Sequence, residues 1–162
     1  TGEFRKYLLS YYLDMFRTTL FRQSMFSEFE VIAHTMVENG EPITADSLSN
    51  AYYELDKKYY GEAVEHSDLI RYEWARIPHF YTSYYVYKYA TGITTAVSIA
   101  NNILTRGEAY FEKYKQFLSA GGSLPPLDII RLADVDLESD APYKTAMKEF
   151  ADTLDELEKS FE

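Results

Sequence analysis

Ile77-Pro-His-Phe-Tyr-Thr-Ser-Tyr-Tyr-Val-Tyr-Lys-Tyr-Ala-Thr-Gly92 puts five tyrosines among the nine residues from Tyr81 to Tyr89, with Pro78 and His79 just ahead of them. Pro78 disfavours helical geometry at Ile77, so the chain is expected to bend before His79. Residues 82 to 106 then read as a helix. At about 100° per residue, Val86, Tyr89, Ala90, Ile93, Val97, Ala100 and Leu104 share an apolar side, and Tyr84, Tyr87, Lys88, Thr91, Thr95, Ser98 and Asn102 share a polar one. Tyr85 and Tyr89 lie nearer the packed side, where an aromatic core accounts for them. Tyr84 and Tyr87 face outward, with Tyr81 and His79 close by. A phenol is a hydrogen-bond donor that stays neutral near pH 7. Several of them beside an imidazole make a clamp for an oxyanion or a peptide carbonyl.

Outward from this stretch the pattern is helical throughout. Phe4 to Glu38 reads as one long helix, with Phe4, Leu8, Tyr11/Tyr12, Met15, Leu20, Phe26, Phe29 and Ile32/Ala33 at mostly three- and four-residue spacing and Asn39-Gly40 as its stop. Thr44 is placed to cap a helix from Ala45 to Tyr60 that ends at Gly61. Ser67-Asp68 can cap a shorter helix carrying Tyr72 and Trp74. After residue 106, Gly107 restarts the chain into a helix through Tyr110, Tyr114 and Phe117 that ends at Gly121-Gly122. Ser123 to Ala133 is a short helix with two prolines near its first turn, and Asp140-Ala141-Pro142 opens the last one. The fold class is all-α, with about six helices and residues 1–162 as a single segment.

Composition bounds the function. The 162 residues suit one domain able to bury about 70% of its unfolded surface. At 46% hydrophobic and 17% aromatic, the chain is a packed one. Cysteine is absent, which excludes a thiolate site and fits a reducing, cytoplasmic setting. No apolar run approaches the roughly 20 residues needed to cross a bilayer, and no signal-peptide pattern opens the chain. It begins Thr1-Gly2, as a processed product, a tag remnant or a piece of something longer would. The net charge is −10, and the stretch from Asp134 to Glu162 supplies −7 of it, ten acidic residues against three lysines. Such a balance argues against a nucleic-acid partner, which needs clustered Lys and Arg.

The three histidines, His34, His66 and His79, form no His-Glu-x-x-His helix. Glu30, His34 and Glu38 lie at four-residue spacing on one helical face, but no second helix offers a matching ligand set, and a solvated face explains them. No metal ligands are assigned. There is no Ser-His-Asp order, nucleophile elbow or phosphate loop. Arg22, Glu28 and Glu30, set among aromatics, are expected to form a buried structural network.

Phe21-Arg22-Gln23-x-x-Phe26-x-Glu28-Phe29-Glu30, Tyr59-Tyr60-Gly61, Trp74-x-Arg76-Ile77-Pro78-His79-Phe80-Tyr81, Tyr85-Val86-Tyr87-Lys88-Tyr89-Ala90-Thr91-Gly92 and Tyr114-x-x-Phe117-Leu118-x-x-Gly121-Gly122 resemble the C-terminal part of oligoendopeptidase F, of the thimet-oligopeptidase-like zinc metallopeptidases. The resemblance runs in order from about residue 7 to the end. It implies a zinc metalloendopeptidase that hydrolyses oligopeptides in a deep helical channel. The zinc-binding His-Glu-x-x-His helix, its glutamate base and the third ligand would lie upstream, in the N-terminal part of the same protein. This chain would then form one wall of the active site and, alone, bind no catalytic zinc and cleave nothing. By the same resemblance His79 contacts the substrate or the oxyanion, and Tyr81 and Tyr87 hydrogen-bond the tetrahedral intermediate or the peptide backbone. Tyr84 is a lesser candidate, since the family commonly has Phe there. The family's Ala-Gly-Val-Asp is Ala133-Asp134-Val135-Asp136 here, so Asp134 must adopt the backbone geometry of a glycine. The alternative is a non-enzymatic helical module that binds peptides on its tyrosine-rich face.

Overall fold

A computed structural model describes residues 2–161. Among them are seven α-helices, two 3-10 stretches and no strand, so the all-α class holds. They fall into two compact units, one built from Arg17–Ala90 and the other from the residues up to Phe16 and from Thr91 onward.

The expected single first helix is two. α1 (Gly2–Phe16) leads through a π-helical turn, Arg17–Phe21, into α2 (Arg22–Glu38). A π turn inserts a residue into the helical ladder and shifts the register behind it. Gln23 answers locally: its amide donates to the Thr18 carbonyl at 3.3 Å. α3 (Ala45–Tyr60) begins and ends where its caps dictate. Thr44 Oγ1 accepts from the Ser47 amide at 3.1 Å while Ser47 Oγ accepts from the Thr44 amide at 2.9 Å, and Gly61 stops the helix at φ 67°. The segment capped by Ser67 is a 3-10 stretch, Asp68–Arg76, followed across Ile77 by a 3-10 turn, Pro78–Tyr81. The core of this unit joins Met25, Phe26 and Phe29 of α2 to Tyr52 and Leu55 of α3, with Ile77 and Val86.

In the other unit, α1 packs on α7 (Ala141–Lys159). The Phe16 and Phe150 rings lie 5.7 Å apart there, and Arg5 pairs with Glu156 at the surface. From Thr91 on, α4 (Tyr87–Arg106) belongs to this unit, and α5 (Glu108–Ala120) and α6 (Pro126–Arg131) complete its helices. A second cluster gathers Ile99, Tyr110, Ala133 and Val135, and the Tyr110 hydroxyl donates to the Ala133 carbonyl at 2.5 Å. Asp134 takes the left-handed geometry expected of it, φ 51°. Lys113 and Arg106 hold its carboxylate at 2.7 and 3.0 Å and keep its pKa below the usual carboxylate range.

The faces of α4 depart from the expected ones. The helix begins at Tyr87, not at 82. Thr95 and Ser98, expected on the polar side, are buried beside Ile93, Thr94, Val97 and Ile99, while Leu104, expected inside, is 85% exposed. Thr95 meets its polar demand within the helix, donating to the Thr91 carbonyl at 2.8 Å.

Candidate functional site

The tyrosine-rich stretch is held from beneath by apolar anchors. Ile77 and Val86 are buried in the core of their unit. Between them Phe80 packs its ring on Phe26 and Phe29, at 5.4 and 5.2 Å. Pro78 starts the 3-10 turn by supplying the fixed φ that its first residue needs. With those three side chains inward, the polar members of the stretch are turned toward the surface.

Tyr81, Tyr84 and Tyr87 are 88%, 46% and 51% exposed. They present themselves as the helical projection expected, though for a different reason. Residues 82–86 form a loop, and Tyr84 stands in it at φ 53°. A bulky residue in the left-handed region costs about 1–3 kcal/mol and persists only where its surroundings hold it there. Two groups on α2 do so. Glu30 Oε1 accepts from the Tyr84 amide at 2.8 Å, and the His34 ring lies 4.5 Å from the Tyr84 ring.

His79 is half-buried, and its nearest aromatic neighbours are the two tyrosines assigned to packing. Its ring stacks on Tyr85 at 5.5 Å and meets the edge of Tyr89 at 5.8 Å. The Tyr89 hydroxyl donates to that of Tyr85 at 3.3 Å and lies 3.5 Å from His79 Nε2. The bond to Tyr85 and partial desolvation raise the Tyr89 pKa. Lys88 Nζ sits 4.2 Å from the centre of the Tyr85 ring. The structure thus brings His79, Tyr85 and Tyr89 together and places Tyr84 against His34. One signal for Tyr85 and Tyr89 was available: the helical projection already sets both nearer the packed side than Tyr84 and Tyr87.

Arg22, Glu28 and Glu30 do not form one network. Arg22 pairs with Glu73 at 2.6 Å, and Glu73 also accepts from the Tyr52 hydroxyl at 2.6 Å. Glu28 holds Lys58 at 2.5 Å and the Tyr59 hydroxyl at 2.9 Å. Burial and that bond push the Tyr59 pKa up to about 12. Of the acidic and imidazole stripe on α2, Glu30 is committed to Tyr84, and His34 Nδ1 donates to the Glu30 carbonyl at 2.7 Å. Among the described residues no group of three His, Cys, Asp or Glu side chains is arranged to hold a metal ion, and no helix is long and apolar enough to cross a membrane.

Residues 3–149 match the family described as Peptidase family M3. Oligopeptidase PepF of Bacillus subtilis is 46% identical over 155 residues, which cover 96% of this chain and 23% of that protein. The plasmid-borne oligoendopeptidase F of Lactococcus lactis subsp. cremoris is 44% identical over 155 residues, covering 96% and 26%. The crystal structure of oligoendopeptidase-F from Enterococcus faecium aligns with a TM-score of 0.96 at 43% identity, covering 99% of this chain and 31% of that one. The chain spans about a quarter of the length of the curated relatives it matches.

Proposed function

Since the chain belongs to peptidase family M3, we propose that the protein containing it is a cytoplasmic zinc metalloendopeptidase that hydrolyses oligopeptides, and that residues 1–162 are one all-α segment of its catalytic domain. The metal, bound by residues upstream of this chain, supplies Lewis acidity and an activated water. The chain itself supplies hydrogen-bond donors to the peptide. Alone it cleaves nothing.

The observation that carries this reading is the exposure of Tyr81, Tyr84 and Tyr87 in the same stretch of chain as His79, whose ring is ordered by Tyr85 and Tyr89, in a chain of that family. Ile77, Phe80 and Val86 anchor the backbone that carries these phenols, and donors placed where charge develops on a carbonyl oxygen lower the barrier. In this reading His79, Tyr81 and Tyr87 donate to the peptide carbonyl and to the tetrahedral oxyanion, and Tyr84 lines the peptide beside them. Tyr85 and Tyr89 keep the His79 ring in one orientation.

Tyr87→Phe in the whole protein removes one donor and leaves the ring. The expected result is a fall in kcat on the order of 10²–10³-fold with little change in KM, the signature of a contact made in the transition state. An unchanged kcat on an oligopeptide substrate refutes the assigned role.

A further inference from the structure

Glu30 spends a buried carboxylate on a single backbone amide. It lies on α2, 4% exposed, and its Oε1 accepts from the N–H of Tyr84, 54 residues further along the chain. Its Oε2 is also buried and meets no hydrogen-bond partner among the described residues. An acceptor left idle in the interior costs free energy. Core packing gives no reason for a carboxylate here, since an apolar side chain would fill the space without that cost.

Tyr84 explains it. The residue is held at positive φ in the loop before α4, where its amide has no helical partner, and Glu30 is the fixed acceptor that satisfies it. One turn later on α2, His34 lies against the Tyr84 ring, their planes 31° apart, and is itself oriented by its bond to the Glu30 carbonyl. Backbone and ring of one exposed tyrosine are therefore gripped from the same helix. We propose that Glu30 is a positioning residue of the peptidase site: by accepting from the Tyr84 amide, with His34 on the ring, it fixes the 82–86 loop, which carries Tyr84 and joins Tyr81 to Tyr87. This rests on the peptidase reading above. The acceptor oxygen matters and the charge does not.

Two readouts on the whole protein test it, one independent of catalysis. Deuterium exchange over 82–86 is expected to quicken in Glu30→Ala and stay near wild type in Glu30→Gln, whose carboxamide oxygen still accepts. Against an oligopeptide, Glu30→Ala is expected to lower kcat about 10–100-fold, as small misplacements of binding groups do, with KM within about twofold, and Glu30→Gln to recover most of the loss. Wild-type kcat in Glu30→Ala, or a Glu30→Gln as impaired as Glu30→Ala, overturns the proposal. So does unchanged exchange in Glu30→Ala. If Tyr87→Phe is harmless while exchange responds as expected, the peptidase role of the phenols fails and the hold of Glu30 on the loop stands.

Discussion

Glu73 serves three partners with two oxygens: Arg22 and Arg76 on Oε1, and the Tyr52 hydroxyl on Oε2. Burial opposes its ionisation, yet the Tyr52 hydroxyl and the Arg22 guanidinium outweigh that and hold its pKa below the ordinary glutamate value. Burial and the same bond drive the Tyr52 pKa upward. A carboxylate with a depressed folded pKa stabilises the fold above its unfolded pKa, about 4.3, and that contribution is lost as pH falls through the folded value. Glu73→Gln is therefore expected to lower the free energy of local opening across 45–76 by about 2–4 kcal/mol at neutral pH. Deuterium exchange of that segment in the whole protein measures it. The difference from wild type should shrink in acid, and equal exchange at neutral pH would contradict the role given to Glu73. The sequence marked Arg22 as a residue in need of a partner, but helical spacing finds neighbours only three or four positions away, and Glu73 is 51 away. The left-handed Tyr84 was hidden for a similar reason, because the group that holds it comes from another helix.

Between elements, the turn after α3 is fastened by His66. Its Nδ1 is 2.6 Å from Asp56 Oδ2 and its Nε2 is 2.8 Å from the Gly61 carbonyl. Both partners accept, so only the imidazolium satisfies both. The Asp56 carboxylate first, then the Gly61 carbonyl, raise the His66 pKa, and Lys57 acts against them. Tyr53 adds an edge contact to the ring at 6.5 Å. A histidine whose folded pKa is raised stabilises the fold fully below its unfolded pKa, about 6.5, and the contribution disappears as pH rises through the folded value. The expected outcome is that His66→Gln quickens exchange over 61–67 relative to wild type in mild acid, with the ratio approaching one at alkaline pH. A ratio independent of pH would refute the latch. Helix ends were the legible part of these elements: Thr44, Gly61, Ser67, Gly107 and Gly121 stand at or beside boundaries in the structure, because caps act on adjacent amides. The π turn at Arg17–Phe21 and the start of α4 were not legible. The faces of α4 were not legible either: Thr95 and Ser98 are buried and Leu104 is exposed, because which side of a helix is covered is decided by its neighbours.

At the scale of the molecule, the all-α class followed from periodicity and from the glycine and proline stops. Periodicity says which face is to be covered and not by what: Phe4, Leu8 and Tyr11 keep the three- and four-residue spacing of a helical face and are exposed, with Phe4, Tyr7 and Tyr11 stacked along α1 at 6.5 and 6.4 Å. The candidate site was legible as far as composition could reach, namely an imidazole followed closely in the chain by exposed phenols. The partners that order it, Tyr85, Tyr89, Glu30 and His34, depend on tertiary geometry. That this face works on a peptide bond is tested by the kinetics of the whole protein and its His79→Ala variant on an internally quenched oligopeptide. The expected result is cleavage by the whole protein and a kcat lower by about 10²–10³-fold in the variant, with KM within a few-fold. An unchanged kcat with only KM raised would instead make the His79 and tyrosine face a binding surface with no part in the chemistry.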